Sequence, residues 1–314
     1  MRPATIDALK GLQIRGLKTA PHETVPRQTL SCYESKTRIR IDLKRTPGRP
    51  GCGRLRALVI VEGVRNGITT MGVEAGPESS ILRARAEALL GRIAAAAGRS
   101  GRDAREVTLV AVTKTHPPAL IREAFAAGLR EFGENRVQEA GEKIEELARE
   151  TVGARWHLIG RLQANKARRA ARLFDVIHSV DSAELAERLE RLCAEDGRER
   201  LDVLVQVDLA QEATKGGARE DELPAVVETL KACTRLRFKG LMTLPPFYED
   251  AELVRPYFRR LRGLRDELRA SGAFAEGEGE LSMGMTHDFE VAVEEGATLV
   301  RVGTAIFGER GARV

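Results

Sequence analysis

The chain has 314 residues, of which 42% are apolar and 4% aromatic, so it is long enough to bury one large core or two ordinary ones. Its longest apolar runs fall far short of the ~20 residues that a helix needs to cross a bilayer, and no charged segment leads into a secretory apolar stretch. Residues 1–70 hold 14 basic and 5 acidic side chains, whereas the rest of the chain holds 37 basic and 41 acidic ones and has a net charge of −4. We therefore expect a cytoplasmic protein whose main body has no membrane or nucleic-acid partner.

Residues 1–74 are predicted to form an extension that does not fold with the rest. This segment contains few acids, no sustained hydrophobic period and the stretch RTPGRPGCGRLR. The favoured interpretation is a disordered or non-native basic extension, with Met71 as the natural start. A basic interaction arm and an Arg-rich organelle transit peptide are the alternatives.

From Ser79 apolar residues recur at helical spacing, and beyond this helix short β-branched runs alternate with amphipathic stretches. Strands are predicted at residues 107–113, 129–133, 155–160, 176–180, 201–209, 238–244, 280–284 and 298–303. Helices between them are predicted at residues 118–127, 135–150, 163–173, 182–195, 219–233, 251–270 and 286–295. Eight strand–helix units over roughly 200 to 240 residues predict a single α/β domain over residues 75–314, a (β/α)8 TIM barrel. A doubly wound open sheet is the alternative, but the fingerprint G-x-G-x-x-G does not follow the first strand.

The first predicted strand, in VTLVAVTKTHPPAL, ends at Lys114. Active sites of such barrels lie at the carboxyl ends of the strands, where partial burial lowers the pKa of a lysine and frees its amine to attack an aldehyde. An isolated lysine at a strand end is more often an ordinary surface residue. Other strand ends, however, carry further polar residues: Glu134, Asn135, His157, Gln163, Asn165 and Lys166. We therefore predict a Schiff-base lysine at position 114.

Two glycine-containing segments, LSMGMTHD at 281–288 and VRVGTAIFG at 300–308, join the last two predicted strands to new helices. Backbone N–H groups at such junctions bind phosphate, and barrels commonly place a phosphate site after these two strands. The candidate donors are Ser282, Gly284, Thr286, Gly303 and Thr304. A reactive lysine facing a phosphate site predicts a ligand with an aldehyde and a phosphate, and pyridoxal 5′-phosphate (PLP) fits that description.

The same segments closely resemble the pyridoxal phosphate homeostasis protein family. The resemblance rests on motifs that follow one another between about residues 80 and 310: LVAVTKTHP, FGENRVQEA, WHLIGRLQANK, HSVDS, VQVDLAQEATKGG, GLMTLPP, LSMGMTHDFEVAV and VRVGTAIFGER. It implies PLP as the cofactor and a single alanine-racemase-like barrel of PLP fold type III. The additional β-domain that completes a racemase site is not expected.

The resemblance also implies a role for each matching residue. Lys114 resembles the lysine that holds PLP as a Schiff base, and Lys215 resembles a lysine that takes part in cofactor exchange. The implied phosphate clamp consists of Ser282, Met283, Gly284, Arg301, Gly303 and Thr304, and the implied ring contacts are Asn135 and His157. Thr286 stands where the family frequently has serine, so the hydroxyl is kept.

Two classes of function remain open. The first is a monomeric carrier without robust turnover, which buffers PLP and delivers it to PLP-dependent client enzymes. The second is a PLP-dependent amino acid racemase or lyase, which needs an acid–base partner opposite the lysine. The carrier is favoured, because Tyr33 lies in the extension and Tyr248 and Tyr257 are expected to pack in a loop or core. A Schiff-base aldolase for a sugar phosphate is a third hypothesis, weakened because its lysine usually comes from a later strand.

Metal and thiol redox chemistry are not predicted. Such sites need closely spaced ligands, and the spacing here is wide or irregular. The residues concerned are Cys32, Cys52, Cys193, Cys233, His116, His178 and His287.

Overall fold

The structure is a computed structural model that describes residues 28–31, 38–45, 55–62, 77–211 and 216–308, with side chains from residue 81 onward. The chain divides into two compact units, Met1–Val73 and Glu74–Val314. Five positions named above lie outside the described residues: Cys32, Tyr33, Cys52, Met71 and Lys215.

The first unit contains a three-stranded antiparallel sheet. Its strands are β1 (Gln28–Ser31), β2 (Arg38–Arg45) and β3 (Leu55–Glu62), and β2 lies in the centre. In β2 the sequence RIRIDLKR alternates charged and apolar residues, which is the period of a strand with one apolar face. The strands were not anticipated from the sequence. That residues 1–74 are a disordered or non-native extension stays a prediction.

The second unit is a closed barrel of eight parallel strands in the order β10-β11-β4-β5-β6-β7-β8-β9. The strands are β4 (Thr108–Val112), β5 (Glu131–Glu134), β6 (Arg155–Leu158), β7 (Val176–Val180), β8 (Leu201–Gln206), β9 (Leu236–Met242), β10 (Glu280–Ser282) and β11 (Leu299–Val302). The helices are α1 (Pro77–Arg99), α2 (Pro118–Ala126), α3 (Val137–Leu147), α4 (Ala167–Leu173), α5 (Ala183–Glu195), α6 (Leu223–Ala232), α7 (Arg255–Ala270), α8 (Phe289–Glu294) and α9 (Thr304–Phe307). The predicted (β/α)8 barrel is therefore confirmed.

Burial explains why the strands read as continuous apolar runs rather than alternating ones. Every residue of β7 and β8 is buried, because one face of each strand lines the barrel interior and the other packs beneath the helices. The helices are buried on one side only. In α5 the buried stripe comprises Leu185, Ala186, Leu189, Leu192 and Cys193. None of the helices in the described part of the chain is long and apolar enough to span a membrane.

Most element boundaries differ from the predicted ones by up to four residues, and two of these differences show why. The strand predicted at 201–209 ends at Gln206, and Val207 forms only an isolated bridge with Ala218. The helix predicted at 251–270 begins as a 3₁₀ turn, and α7 starts at Arg255 with a proline in its first turn. Proline is favoured there because its missing N–H has no helical partner in any case.

The two cysteines in the described ranges are free thiols. Cys193 is buried in α5, and Cys233 follows α6 and is partly buried. Burial raises the pKa of both thiols, that of Cys233 to about 11, so neither is a reactive thiolate near neutral pH.

Glu190 of α5 holds the start of β9. Its carboxylate accepts hydrogen bonds from the backbone N–H groups of Thr234, Arg235 and Leu236 at 3.0, 3.0 and 3.1 Å. Burial alone raises the pKa of Glu190, but these hydrogen bonds bring it below its ordinary value. The charged carboxylate therefore stabilises the junction between helix and strand.

We expect Glu190→Ala to lower the free energy of unfolding by about 1 to 3 kcal/mol, since three N–H groups lose a charged acceptor. Glu187→Ala, at an exposed position of the same helix, is the control and should change it by less than about 0.5 kcal/mol. Because the folded-state pKa of Glu190 is depressed, its contribution is present above the unfolded-state pKa and is lost as pH falls through the folded-state value. Urea unfolding should thus show the free energies of unfolding of the wild type and of Glu190→Ala converging in acid. A difference that stays constant with pH would contradict this account.

Candidate functional site

The order of the strands brings the predicted site residues to one part of the barrel mouth. Strand β4 leads to Lys114, its neighbour β11 leads to Gly303, and β10 on the far side of β11 ends at Ser282. On the other side of β4, strand β5 leads to Asn135. Since all eight strands are parallel, their carboxyl ends open on the same face. The structure therefore brings these four positions together.

The segment around Lys114 has an unusual backbone. Lys114 is partly buried, and Thr115 has a φ of 66°, in the left-handed region that a β-branched residue rarely adopts. The N–H group of Thr115 donates to Glu139 Oε1 at 2.5 Å. His116 packs on the ring of Phe307 in α9, with 4.8 Å between ring centroids. Strain of this kind persists only where the surroundings impose it, and it is common at functional sites.

A cluster of Glu134, Glu139 and Lys143, here called the acid–lysine cluster, binds the residues on both sides of Lys114. Lys143 Nζ lies 2.7 Å from Glu134 Oε1, from Glu139 Oε1 and from the carbonyl oxygen of Thr113. The Thr113 hydroxyl donates to Glu134 Oε1, also at 2.7 Å. The cluster thus binds Thr113 through Lys143 and Glu134, and Thr115 through Glu139.

Burial dominates the electrostatics of this cluster. The side chain of Glu134 is fully buried and that of Lys143 is 7% exposed. Desolvation raises the pKa of Glu134 above its ordinary value even though Lys143 favours the charged form. Glu134 Oε2 has no hydrogen-bond partner. Glu134 was predicted at the rim from its place after a strand, whereas Lys143 was missed, because a lysine inside a helix gives no sequence signal that it points inward.

Ser282 and Arg301 form a second polar cluster, on the two strands β10 and β11 that precede β4 in the order of the barrel. Arg301 is 3% exposed and donates to Ser282 Oγ at 2.6 Å and to the carbonyl oxygen of Thr243 at 2.9 Å. Burial lowers the pKa of Arg301 to about 10, while Asp288 opposes that shift. The guanidinium is therefore still charged near neutral pH. A buried cation beside a hydroxyl group is a suitable donor set for an anion.

Glycines leave room where these loops approach other elements. A Cβ atom on Gly284, whose φ is 92°, would lie 2.5 Å from the Cβ of Ala292 in α8. A Cβ atom on Gly303 would lie 3.1 Å from the carbonyl oxygen of Val112 at the end of β4. The N–H group of Met283 donates to the carbonyl oxygen of Leu299 at 3.1 Å, so that donor is engaged within the barrel. Anion contacts from the first loop then depend on Ser282 and Gly284.

A chain of hydrogen-bonded side chains crosses the barrel interior. This interior relay consists of Glu131, His157, His178 and Ser282. Glu131 Oε2 lies 2.6 Å from His157 Nε2, His157 Nδ1 lies 2.8 Å from His178 Nε2, and His178 Nδ1 lies 2.8 Å from Ser282 Oγ. Glu131 begins β5 and Ser282 ends β10, so the relay extends from the amino end of the barrel to its mouth. His157, predicted near the ligand ring, contacts His178 and Glu131 inside the barrel.

The remaining predicted residues lie as follows. Asn135 is partly buried, and a Cβ atom on Gly160 would overlap its carbonyl oxygen. Thr286 and Gly303 are partly buried and Thr304 is exposed, as are Gln163 and Asn165, while Lys166 is partly buried. Lys215 lies outside the described residues. Tyr248 and Tyr257 hydrogen-bond each other, with 3.2 Å between hydroxyl oxygens.

His178 was considered in the sequence only as a metal ligand, so its place in the relay was missed. No group of three or more His, Cys, Asp and Glu side chains in the described ranges could hold a metal ion.

Comparison with known proteins bears on this geometry. A family model described as alanine racemase, N-terminal domain, matches residues 87–311. A pyridoxal phosphate homeostasis protein of Aquifex aeolicus is 45% identical over 222 residues, which are 71% of this chain and 95% of that protein. The chain belongs to the pyridoxal phosphate homeostasis protein family. A member from Escherichia coli is 41% identical over 228 residues, covering 70% of this chain and 92% of its own.

Solved structures agree with the assignment to the homeostasis family. PipY of Synechococcus elongatus, solved without PLP, is 42% identical with a TM-score of 0.64, and the match covers 72% of this chain and all of PipY. PipY solved with PLP bound is 41% identical with a TM-score of 0.63 and the same coverage. Alanine racemase from Bartonella henselae, at 16% identity and a TM-score of 0.55, shares the fold over 74% of this chain and 59% of its own. The resemblance predicted from the motifs is thereby confirmed.

Proposed function

We propose that this chain binds PLP at the barrel mouth, holds it covalently through Lys114, and buffers or delivers it within the cell. The observation that carries the proposal is the pairing of β11 with β4 in the closed barrel, since Lys114 follows β4 and Gly303 and Thr304 follow β11. A ligand held there would contact an amine that follows one strand and anion donors from the next two. PipY, which was solved with PLP bound, supports the proposal that the present chain binds PLP.

The donor set fits both ends of PLP. The ligand's phosphate needs charged and hydroxyl donors, which Arg301 and Ser282 supply at a buried position. Glycine at positions 284 and 303 lets these two loops pack closely on α8 and on the end of β4. Bound there, PLP supplies an aldehyde that the Lys114 amine can attack with loss of water. Glu134 and Lys143 hold the backbone on which that amine is carried.

A carrier role fits better than catalysis. A racemase or lyase needs an acid–base group opposite the lysine, and the two described tyrosines hydrogen-bond each other on the segment after β9. The relatives are named homeostasis proteins, and alanine racemases share only the fold. We take the protein as a cytoplasmic monomer that passes PLP to PLP-dependent client enzymes, with residues 75–314 as the binding unit. Sequencing of the mature amino terminus tests whether residues 1–74 belong to it.

The decisive experiment is an ultraviolet–visible spectrum of the full chain with and without added PLP. We expect a visible band from the covalent adduct, and we expect Lys114→Ala to lose it completely. After reduction with borohydride, mass spectrometry should find the adduct on the peptide that contains Lys114. Lys166→Ala, at a partly buried position of the same rim, is the control and should keep the band. A colourless wild-type protein after incubation with PLP would refute the proposal.

A separate incubation with single amino acid enantiomers tests the absence of turnover. Robust racemisation or lyase activity by the PLP-loaded protein would replace the carrier role by an enzymatic one. Loss of that activity in Lys114→Ala would then assign it to the same site.

A further inference from the structure

The interior relay can carry its hydrogen bonds in either of two directions. If His157 is neutral and Glu131 is charged, His157 Nε2–H donates to Glu131, so His157 Nδ1 must accept from His178 Nε2–H. His178 Nδ1 then accepts, and Ser282 donates its hydroxyl proton to it. In this state the Ser282 proton points into the barrel.

One added proton on His157 reverses the direction. Both nitrogens of His157 then donate, so His178 Nε2 accepts and His178 Nδ1–H donates to Ser282 Oγ. Arg301 Nη1 donates to the same oxygen at 2.6 Å. With both lone pairs of Ser282 Oγ accepting, its own proton can only be directed away from His178 and Arg301.

His178 passes the change on without becoming charged itself. It is fully buried, and desolvation, followed by the nearby charges of His157 and Arg301, lowers its pKa well below the ordinary value for histidine. His178 therefore stays neutral, while the carboxylate of Glu131 lies 2.6 Å from His157 Nε2 and would pair with a proton added to that ring. Burial raises the pKa of Glu131, but His157 and Arg155 bring it below its ordinary value, so the carboxylate stays charged.

His157 has a route to solvent at the end of the barrel opposite Lys114. It lines a cavity of about 320 Å³ formed by the amino ends of the strands. The charged residues that line this cavity with it are Arg155, Arg200, Asp202, Arg237, Lys239 and Glu280. Arg155 lies 3.6 Å from Glu131 and 3.4 Å from Asp202, so it forms ion pairs with a carboxylate of the relay and with one that lines the cavity. Arg301 faces the relay from β11 at its other end.

We propose that protonation of His157 turns the Ser282 hydroxyl toward the mouth, so that Ser282 donates to the phosphate of the ligand only in the protonated state of the relay. His157 and His178 are then positioning residues that act through Ser282. The inference rests on the proposed function, which places the phosphate at Ser282. By linkage, a phosphate bound at Ser282 favours the proton on His157 by the same factor.

The first test needs no ligand and is a ¹⁵N NMR titration of the histidine rings in the full chain. We expect His178 to be the Nε2–H tautomer at high pH and the Nδ1–H tautomer once His157 has taken up its proton. A His178 ring that keeps one tautomer from high to low pH would overturn the inference. Because PLP is absent, this result stands whether or not the protein binds it.

The second test compares the affinities for PLP and for pyridoxal, which lacks the phosphate, across the same pH range. Protonation should increase the preference for PLP about tenfold in the wild type relative to Ser282→Ala, which removes the ionisation of PLP itself from the comparison. His157→Gln should abolish this pH dependence. The double variant His157→Gln with Ser282→Ala should show no further change in it. His287→Gln, an exposed histidine outside the relay, is the control.

If His157→Gln retained the wild-type pH dependence, the relay would have no part in phosphate binding. Should this variant fail to fold, the tautomer measurement on the wild type still decides the direction of the hydrogen bonds. A protein with the expected tautomer switch and no affinity for PLP would refute the proposed ligand and leave the relay intact.

Discussion

Lys143→Met is expected to lower the free energy of unfolding by about 3 to 5 kcal/mol, because the fully buried Glu134 loses its cation. Lys143 Nζ also satisfies the carbonyl oxygen of Thr113 and the carboxylate of Glu139, and both hydrogen bonds disappear in the variant. Urea unfolding measured by circular dichroism gives the difference. Because Thr113 and Thr115 flank Lys114, the variant should also bind PLP more weakly.

The matched control is Lys231→Met in α6, which removes an exposed lysine paired with Glu228 at 2.8 Å. Exposed pairs contribute little, so this change should stay within about 1 kcal/mol. Equal effects of the two substitutions would contradict the account of the acid–lysine cluster. The double variant Glu134→Gln with Lys143→Met leaves no unpaired charge at the fully buried position 134 and should recover part of the loss.

The pH dependence of Lys143→Met provides an independent check. Burial already raises the folded-state pKa of Glu134, and loss of the lysine raises it further. A carboxyl group with a raised folded-state pKa favours the folded state when protonated, and this contribution is lost as pH rises through that pKa. The deficit of the variant should therefore shrink in acid and be largest near neutral pH.

Gly240→Ala is expected to destabilise the barrel by at least about 3 kcal/mol. A Cβ atom at this position would overlap the carbonyl oxygen of Glu280 and lie 2.5 Å from its nitrogen. Gly240 pairs with Glu280 between β9 and β10, so the two backbones would have to separate. The strand that moves carries Ser282 at its end, so the affinity for PLP should fall with the thermal midpoint.

Gly263→Ala in α7 is the control for this substitution. The nearest atom to its Cβ position is Arg260 Nη1 at 3.8 Å, and alanine is favoured over glycine in a helix interior by about 1 kcal/mol. We therefore expect the control to raise the thermal midpoint. A Gly240→Ala protein as stable as the wild type would mean that β9 and β10 can separate at little cost.

The barrel was predictable because its strands are buried on both faces and its helices on one, and these two patterns differ along the chain. Burial of the strands on both faces also made the polar residues inside the barrel unpredictable from the sequence. In a strand such as β7, where all five residues are buried, apolar character does not reveal that His178 faces a polar chain. Lys143 was missed for a related reason, since its burial depends on Glu134, which lies on a different element. The alternation in β2 was visible but was outweighed by the charge and glycine content around it.

Lys114 and Gly303 belong to the two halves of the proposed site. They follow the first and the last barrel strand, and these strands come together only where β4 pairs with β11. A chain still emerging from the ribosome therefore has the amine long before it has the anion donors. Pairs this distant in sequence form late, because closing so long a loop is entropically costly. Tight binding of the vitamin B6 aldehyde should therefore begin only after the completed chain has left the ribosome. The bound cofactor should then stabilise the closed barrel as a whole.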